Sequence, residues 1–339
     1  MRIYVPVPGL APHGGIRVII DIANWLADRG HEVHLHPLQE PCREDMEYWR
    51  FSRRLQVGHP GCYPPVSLIT SPHSVDLGAH RRSVVHLQML ESMFRPNDKR
   101  WAEACRRTYA HPGRLLSISK WNVRALLQER TGKPTSYMGN GVDRSSFPLR
   151  EVPHKHSEPT VLVEGWAAYN PTKDVKRVAP QACAALRKAG VRVVAYGGFP
   201  PSDWTEVYDE FHVRPDLNKL NVLYESAWVL LKASLYDARS CSPVEAMTKG
   251  TPTVRVIRMG DDDLDDSNSV RLNYDQATPN SVAYAVLSLL EDESRRRSLA
   301  TAGYAHLALH CNWERWGEVI ESALKDPNGY SPLPGELSL

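Results

Sequence analysis

The chain has 339 residues, with 41 Lys and Arg against 39 Asp and Glu, for a formal net charge of +2. That length suits two domains better than one, and a chain of this size can bury roughly 75% of its unfolded surface. So even a charge balance gives no ground for a polyelectrolyte partner, and nucleic acid is not expected. The six cysteines, Cys42, Cys62, Cys105, Cys183, Cys241 and Cys311, lie far apart with no Cys-x-x-Cys pair. This spacing fits neither a zinc site nor a disulfide framework and reads as reduced thiols in a cytosolic protein. The opening MRIYVPVPGLAPHGG has no long apolar stretch of a secretory leader. No segment approaches the ~18 apolar residues of a membrane span. The expectation is a cytoplasmic protein whose contact with a membrane, if any, is peripheral at the inner surface.

In chain order, the apolar run from Ile3 to Val7 predicts a short buried strand. A Pro/Gly loop from Pro8 to Gly15 leads into an amphipathic stretch from Ile16 to Ala27, where Val18, Ile19, Ile22, Ala23 and Leu26 recur at helical spacing. Gly30 is placed to end that helix, and Glu32 to His36 reads as the next strand. Strand, glycine loop, helix and strand open a parallel α/β sheet. Further strands are predicted at Val66–Thr70, Ser83–Gln88 and Leu115–Ser119, a polar helix around Trp101 to Tyr109, and another from Lys120 to Arg130. The turn cluster MGNGVD covers Met138 to Asp143.

The stretch Pro148–Pro159 is polar, proline-rich and without periodicity, and reads as an interdomain linker. After it the pattern restarts with a strand at Thr160–Trp166. A helix from Val175 to Ala189, kinked at Pro180, and a strand at Val191–Gly198 follow. A strand at Trp228–Ser234, a helix at Ser242–Lys249 and a strand at Thr251–Ile257 complete the core of this half. The fold class expected is α/β, with two Rossmann-like domains facing a cleft. The boundaries fall at 1–150 and 151–310, with 311–339 forming a helix and tail that pack back on the first domain. Ligands in such sheets sit at the carboxyl ends of the strands.

The chemistry concentrates in SLYDARSCSPVEAMTKGTPTV, residues 234 to 254. A strand ends at Ser234, a loop carries Asp237, and seven residues later Glu245 stands near the start of a helix that stops at Gly250. Backbone N–H groups of the loop and the positive end of a helix suit a diphosphate. A carboxylate in the helix can accept from a vicinal diol such as ribose, and one on the loop can do the same for a sugar ring. Either acid alone reads as a turn residue or a first-turn acid; the pair, followed by Ala246, Met247, Gly250 and Pro252, does not.

This segment resembles the donor-binding signature of family four of the retaining glycosyltransferases, which have two Rossmann-like domains (the GT-B fold). The usual form is Glu, seven residues, then Glu-Ala-Met with Gly and Pro before a strand. Here Asp237 stands for the first Glu, and ARSCS replaces a glycine-rich stretch. The resemblance implies that Glu245 binds the nucleotide ribose and that Asp237 approaches the donor sugar. Backbone amides of Arg239, Ser240, Cys241 and Ser242 would face sugar and diphosphate. GGIRVIIDIANWLADRGHEVHLH, SISKWNVRALLQERTGKPTSYMGNGVD and DESRRRSLATAGYAHLALHCNWERWGEVIESAL are similar to the family's opening, first-domain end and C-terminal helices.

Three further sites are carried by the same resemblance, and two charged stretches are read from their residues alone. Gly14 and Gly15 would let backbone approach the donor; a plain βα turn is the ordinary reading. Lys173 matches a diphosphate-neutralising lysine, while the accompanying Arg falls near Ala168, leaving Lys173 alone or Lys176 as an assistant. Gln88 matches the place of a histidine near the transferred sugar, as in a rhamnosyltransferase-like subset, and His86 shares its strand face two residues earlier. The acidic run Gly260–Asp266 invites a Mg or Mn reading but reads better as a solvated loop. The basic residues Arg106, Arg107, Arg114, Lys120 and Arg124 read as a charged helical surface.

The expected activity is retaining transfer of a hexosyl or deoxyhexosyl group from a UDP-, dTDP- or GDP-linked donor to a glycan, lipid-linked or natural-product hydroxyl. Front-face displacement, with no metal and no cofactor, is implied. A nucleotide-sugar epimerase and a non-catalytic sugar-nucleotide-binding protein of the same fold stay open as alternatives.

Overall fold

The computed structural model describes residues 1–78, 82–95, 97–127, 133–149, 155, 157–165, 177–200, 204–260, 264–329 and 332–333. The chain divides into two compact units, Met1–Gly141 with Trp313–Leu339, and Val142–Asn312. The described strands are β1 (Arg2–Val7), β2 (Glu32–Pro37), β3 (Gln56–Val57), β4 (Val66–Ile69), β5 (Arg82–Leu87), β6 (Leu115–Ser117), β7 (Thr135–Tyr137), β8 (Thr160–Glu164), β9 (Arg192–Gly197), β10 (Glu210–Val213), β11 (Val229–Asp237), β12 (Thr253–Gly260) and β13 (Val270–Asn273). The α-helices are α1 (Gly14–Asp28), α2 (Arg43–Tyr48), α3 (Val75–Gly78), α4 (Lys99–Tyr109), α5 (Lys120–Leu126), α6 (Ala179–Lys188), α7 (Trp204–Val207), α8 (Leu217–Ser226), α9 (Cys241–Met247), α10 (Pro279–Glu291), α11 (Glu293–His310) and α12 (Trp313–Lys325).

In the first unit seven parallel strands run in the order β3-β2-β1-β4-β5-β6-β7. The chain moves outward from β1 to β3 and returns to β4 on the other side, so the order reverses between β1 and β4. Ile3, Tyr4 and Val5 are all fully buried, as expected of a strand covered on both faces. Helix α1 turns its apolar stripe inward and stops at Arg29, after which Gly30 takes φ +88°, a conformation glycine adopts without strain. Helix α12 packs on α1 through Gly317, where a Cβ would lie 2.1 Å from Cε2 of Trp25. Only a residue without a side chain permits that approach.

The second unit has six parallel strands in the order β10-β9-β8-β11-β12-β13, reversing between β8 and β11. Strand alternation separates two cores. Val161, Val163, Val193, Ala195 and Leu231 face α6 and α10, while Leu162, Val194 and Leu230 join Leu220, Leu223 and Tyr224 of α8 and Val244 and Met247 of α9. The alternation therefore aims Glu164, Tyr196 and Lys232, further along the same strands, at the side where α8 and α9 lie. Both units are Rossmann-like, as the alternating strand and helix pattern predicts.

Three local expectations are corrected. Pro180 does not kink a helix: it sits in the first turn of α6, where its missing N–H is not needed. The strand carrying WVLLKAS does not end at Ser234 but runs to Asp237, paired in register with β12 as far as Gly260. Arg114 is no surface cation; it is 3% exposed, with Nη1 donating to Ser136 Oγ at 2.8 Å and Nη2 to the Gly329 carbonyl. The starts or ends of the helices predicted at 175–189 and 120–130, and much of the stretch 148–159, lie outside the described residues.

Candidate donor-binding site

The candidate site of the second unit forms at the carboxyl ends of the adjacent strands β8 and β11, where the strand order reverses; β8 stops at Glu164, beside Lys232, and β11 runs on to Asp237. At such a point the loops leave toward opposite faces and open a crevice. Asp237 is the last residue of β11 and is 8% exposed; Ala238 to Ser240 then turn the chain into α9. Its neighbour in the sheet is Gly260 at φ +86°, and a Cβ there would stand 1.9 Å from the Asp237 carbonyl oxygen. A side chain at that position would displace the backbone that carries the acid.

Helix α9 has seven residues, and its N-cap Ser240 makes no side-chain capping hydrogen bond. Glu245 lies in the second turn, 4% exposed, and its Oε2 accepts from the Tyr224 hydroxyl at 2.9 Å. That hydroxyl is 2.8 Å from the hydroxyl of Tyr196 on β9, forming a buried chain of two phenols and a carboxylate. Burial, with the nearby Glu245 and Glu164 charges, holds both phenols well above the usual tyrosine range, so they remain neutral. A neutral phenol can donate to a carboxylate, and here it fixes how Glu245 lies.

Beside this chain lies a second network. Lys232 Nζ of β11 is 2.6 Å from Glu164 Oε2 of β8 and 3.7 Å from Asp237 Oδ2. The hydroxyl of Ser242, in the first turn of α9, donates to the same Oε2 of Glu164. The two networks bring Asp237, Ser242 and Glu245 to one region of the second unit. Ser242 turns its hydroxyl inward, and Arg239, 4% exposed, directs Nη2 at Cys311 Sγ, 2.7 Å away. Cys241 is partly exposed in the first turn of α9. Lys173, Lys176 and Ala168 lie outside the described residues, as do residues 261–263 of the acidic run. Within that run Asp265 accepts from the Ser267 amide at 2.8 Å, a turn contact.

The first unit has its own cluster at the carboxyl end of its strands. His13 is the N-cap of α1, its Nδ1 accepting from the Ile16 amide at 3.4 Å. Gln88, just past the end of β5, donates from Nε2 to the Gly15 carbonyl at 3.0 Å. A Cβ on Gly15 would meet Gln88 Oε1 and the His13 ring, each at 3.3 Å, so glycine there serves close packing. Gly14 is the first residue of the same helix. His86 lies inside β5, 1% exposed, and neither ring nitrogen has a hydrogen-bond partner among the described residues. Burial lowers its pKa to about 3, so it is a neutral imidazole in the interior. Gln88 is half-buried, and is the more accessible of the two.

Sequence reasoning passed over Glu164, Lys232, Tyr196 and Tyr224. A signal was present for two of them: a lysine inside the apolar run WVLLKAS and a glutamate closing TVLVE are charges where strand patterning predicts burial. The tyrosines carried no such mark.

No protein-family model matches the chain, and no curated protein matches it in sequence. Solved structures match its fold. Anabaena Alr3699/HepE in complex with UDP-glucose is 15% identical over 96% of this chain and 99% of that one, with a TM-score of 0.75. Sucrose-phosphate synthase from Thermosynechococcus elongatus is 14% identical over 96% and 98%, with a TM-score of 0.74. WaaG, a glycosyltransferase involved in lipopolysaccharide biosynthesis, is 14% identical over 94% and 99%, with a TM-score of 0.68. The chain thus shares the two-unit fold of these proteins over nearly all its length.

Proposed function

We propose that this chain is a glycosyltransferase that takes its sugar from a nucleoside-diphosphate donor. The observation that carries the reading is the pairing of Asp237 and Glu245, set on a strand end and the helix after it, at the point where the second sheet reverses its order. Two ionisable oxygen acceptors, held in place by buried partners, suit a ligand rich in hydroxyl groups. Glu245, oriented by Tyr224, is assigned to the ribose diol, and Asp237 to hydroxyls of the donor sugar. The backbone from Arg239 to Ser242 is assigned to the sugar and diphosphate. That the side chains of Arg239, Ser240 and Ser242 are buried supports this, since it leaves the loop's main chain as the polar group on offer. One protein of matching fold, Anabaena Alr3699/HepE, holds UDP-glucose, or UDP with glucose, which supports uracil as the first base to test. Gly14, Gly15, Gln88 and Lys173 keep the roles that the family resemblance gives them, while His86, buried inside its strand, is assigned no contact with the donor.

For the chemistry we propose transfer with retention by front-face displacement, without a metal. The C1–oxygen bond to the leaving diphosphate breaks as the acceptor oxygen arrives on the same face. The acceptor proton passes to the departing phosphate oxygen. The protein's share is orientation and stabilisation of charge, since no side chain in the segment is placed as a covalent nucleophile. The acceptor is proposed to be a hydroxyl of a glycan, a lipid-linked sugar or a natural product.

The test is calorimetric titration with UDP, dTDP and GDP and their sugars, followed by NMR of slow donor hydrolysis. Binding of one nucleotide with release of sugar in the α-configuration from an α-linked donor supports the reading. Conversion of donor to an epimer without release identifies an epimerase, and tight binding with no turnover identifies a sensor. No binding of any nucleotide overturns the proposal.

A further inference from the structure

We propose that Lys232 is a positioning residue for the donor sugar: its ammonium, anchored by Glu164, holds the Asp237 carboxylate in place. This rests on the donor-site reading above and adds two residues to it.

Lys232 and Glu164 occupy adjacent parallel strands, β11 and β8, one step beyond the paired residues Leu231 and Val163. Alternation turns both toward α8 and α9, where the neighbouring side chains Leu162, Leu230 and Val244 form an apolar core. Lys232 is 5% exposed there. An ammonium taken from water into such surroundings is costly unless it is paired, and an apolar residue would fill the position without that cost. The pairing is specific. Nζ lies 2.6 Å from Glu164 Oε2, a charge-assisted hydrogen bond, and 3.7 Å from Asp237 Oδ2, within ion-pair range. Ser242 Oγ adds a donor to the same oxygen of Glu164.

The geometry has a direction. Glu164 is held from two sides, by Lys232 and Ser242, so it is the anchor. Asp237, at the end of its strand and one methylene shorter than a glutamate, is the group that the remaining charge of Lys232 reaches. Without the ammonium, the two carboxylates that Lys232 Nζ reaches, Glu164 and Asp237, would have no cation between them, and like charges repel. Lys232 lets both acids stay close at the carboxyl edge of the sheet. Because Ser242 belongs to the first turn of α9, the same network ties the end of β8 to the loop Ala238–Ser240. Asp237 is thereby fixed from both of its sides along the chain.

The experiment uses the full chain in three forms: wild type, Lys232→Arg, and the double variant Lys232→Met with Glu164→Gln, which removes the Lys232–Glu164 ion pair as a unit and leaves Asp237 without the ammonium. The probes are the nucleotide sugar that wild type hydrolyses fastest and its nucleoside diphosphate. The double variant should bind the nucleoside diphosphate within about threefold of wild type. Its kcat for donor hydrolysis should fall about tenfold or more with KM little changed, the mark of an interaction made in the transition state. Lys232→Arg, which keeps the charge, should recover part of that loss. A double variant with wild-type kcat overturns the proposal. So does one in which nucleoside diphosphate affinity and kcat fall by the same factor, since the network would then serve only the fold. If wild type itself neither binds nor hydrolyses any nucleotide sugar, the donor reading has failed in the unmutated protein, and the role of Lys232 falls with it.

Discussion

Replacing Glu245 with Ala separates the ligand-binding role of this acid from its structural one. In the structure Glu245 is 4% exposed and accepts from Tyr224 at 2.9 Å, so the substitution strips a partner from a buried phenol. That loss alone should lower unfolding stability by about 1–3 kcal/mol. If the carboxylate also accepts from the ribose, donor binding loses a charge-assisted hydrogen bond of about 1.5–3 kcal/mol. The affinity for the nucleoside diphosphate then drops roughly 10- to 150-fold. Tyr224→Phe is the control: it removes the same internal hydrogen bond and leaves the acid in place. Calorimetric titration at a temperature well below each variant's melting midpoint reads the two effects apart. The ribose assignment requires Glu245→Ala to lose far more affinity than Tyr224→Phe. Equal affinities in both variants, with only the melting temperature changed, would refute it and leave Glu245 as a member of the buried polar chain.

Burial sets opposing pH dependences in the first unit. The buried His86 has its pKa lowered to about 3, so below the ordinary value near 6.5 the unfolded chain takes up a proton that the folded chain refuses. Its contribution to stability is complete above that value and declines by about 1.4 kcal/mol per pH unit as pH falls toward 3. Glu91 is raised to about 8 by burial, so its contribution is complete below its ordinary pKa of 4.5 and declines as pH rises through 8. Glu91→Gln should therefore raise the melting temperature at pH 8 and leave it nearly unchanged at pH 4; an equal shift at both would contradict a protonated Glu91. Gly317→Ala places a methyl group 2.1 Å from the Trp25 ring and should destabilise the α1–α12 contact, as chemical denaturation would read. Overpacking of this kind typically costs about 1–3 kcal/mol, and an unchanged midpoint would show that the ring moves aside freely. Thiol alkylation followed by mass spectrometry should label the exposed Cys42 and Cys62 first, while buried Cys183, its thiol pushed up to about 12, stays unreacted. Labelling of Cys241 should slow when nucleoside diphosphate is present, and equal rates with and without nucleotide would place the ligand elsewhere.

The sequence by itself determined the elements and their class, because each rests on local physics. Ile3 to Val7 is an apolar run of strand length, Ile16 to Ala27 has a stripe that only a helix places on one side, and Gly30 offers the left-handed turn that ends it. The spacing of Asp237 and Glu245 was legible for the same reason, since a short strand–turn–helix keeps its register. Where a residue's role depends on what lies across the sheet, local patterning ran out. Pro180 breaks a helix when read alone and starts one in place, and β11 reaches Asp237 only because β12 pairs with it that far. Arg114 reads as a surface charge until Ser136 and the Gly329 carbonyl enclose it. The partnership of Lys232 with Glu164 and Asp237 belongs to the tertiary structure altogether. Glu164 is 68 residues away along the chain, and only the reversal of strand order between β8 and β11 sets it beside the lysine.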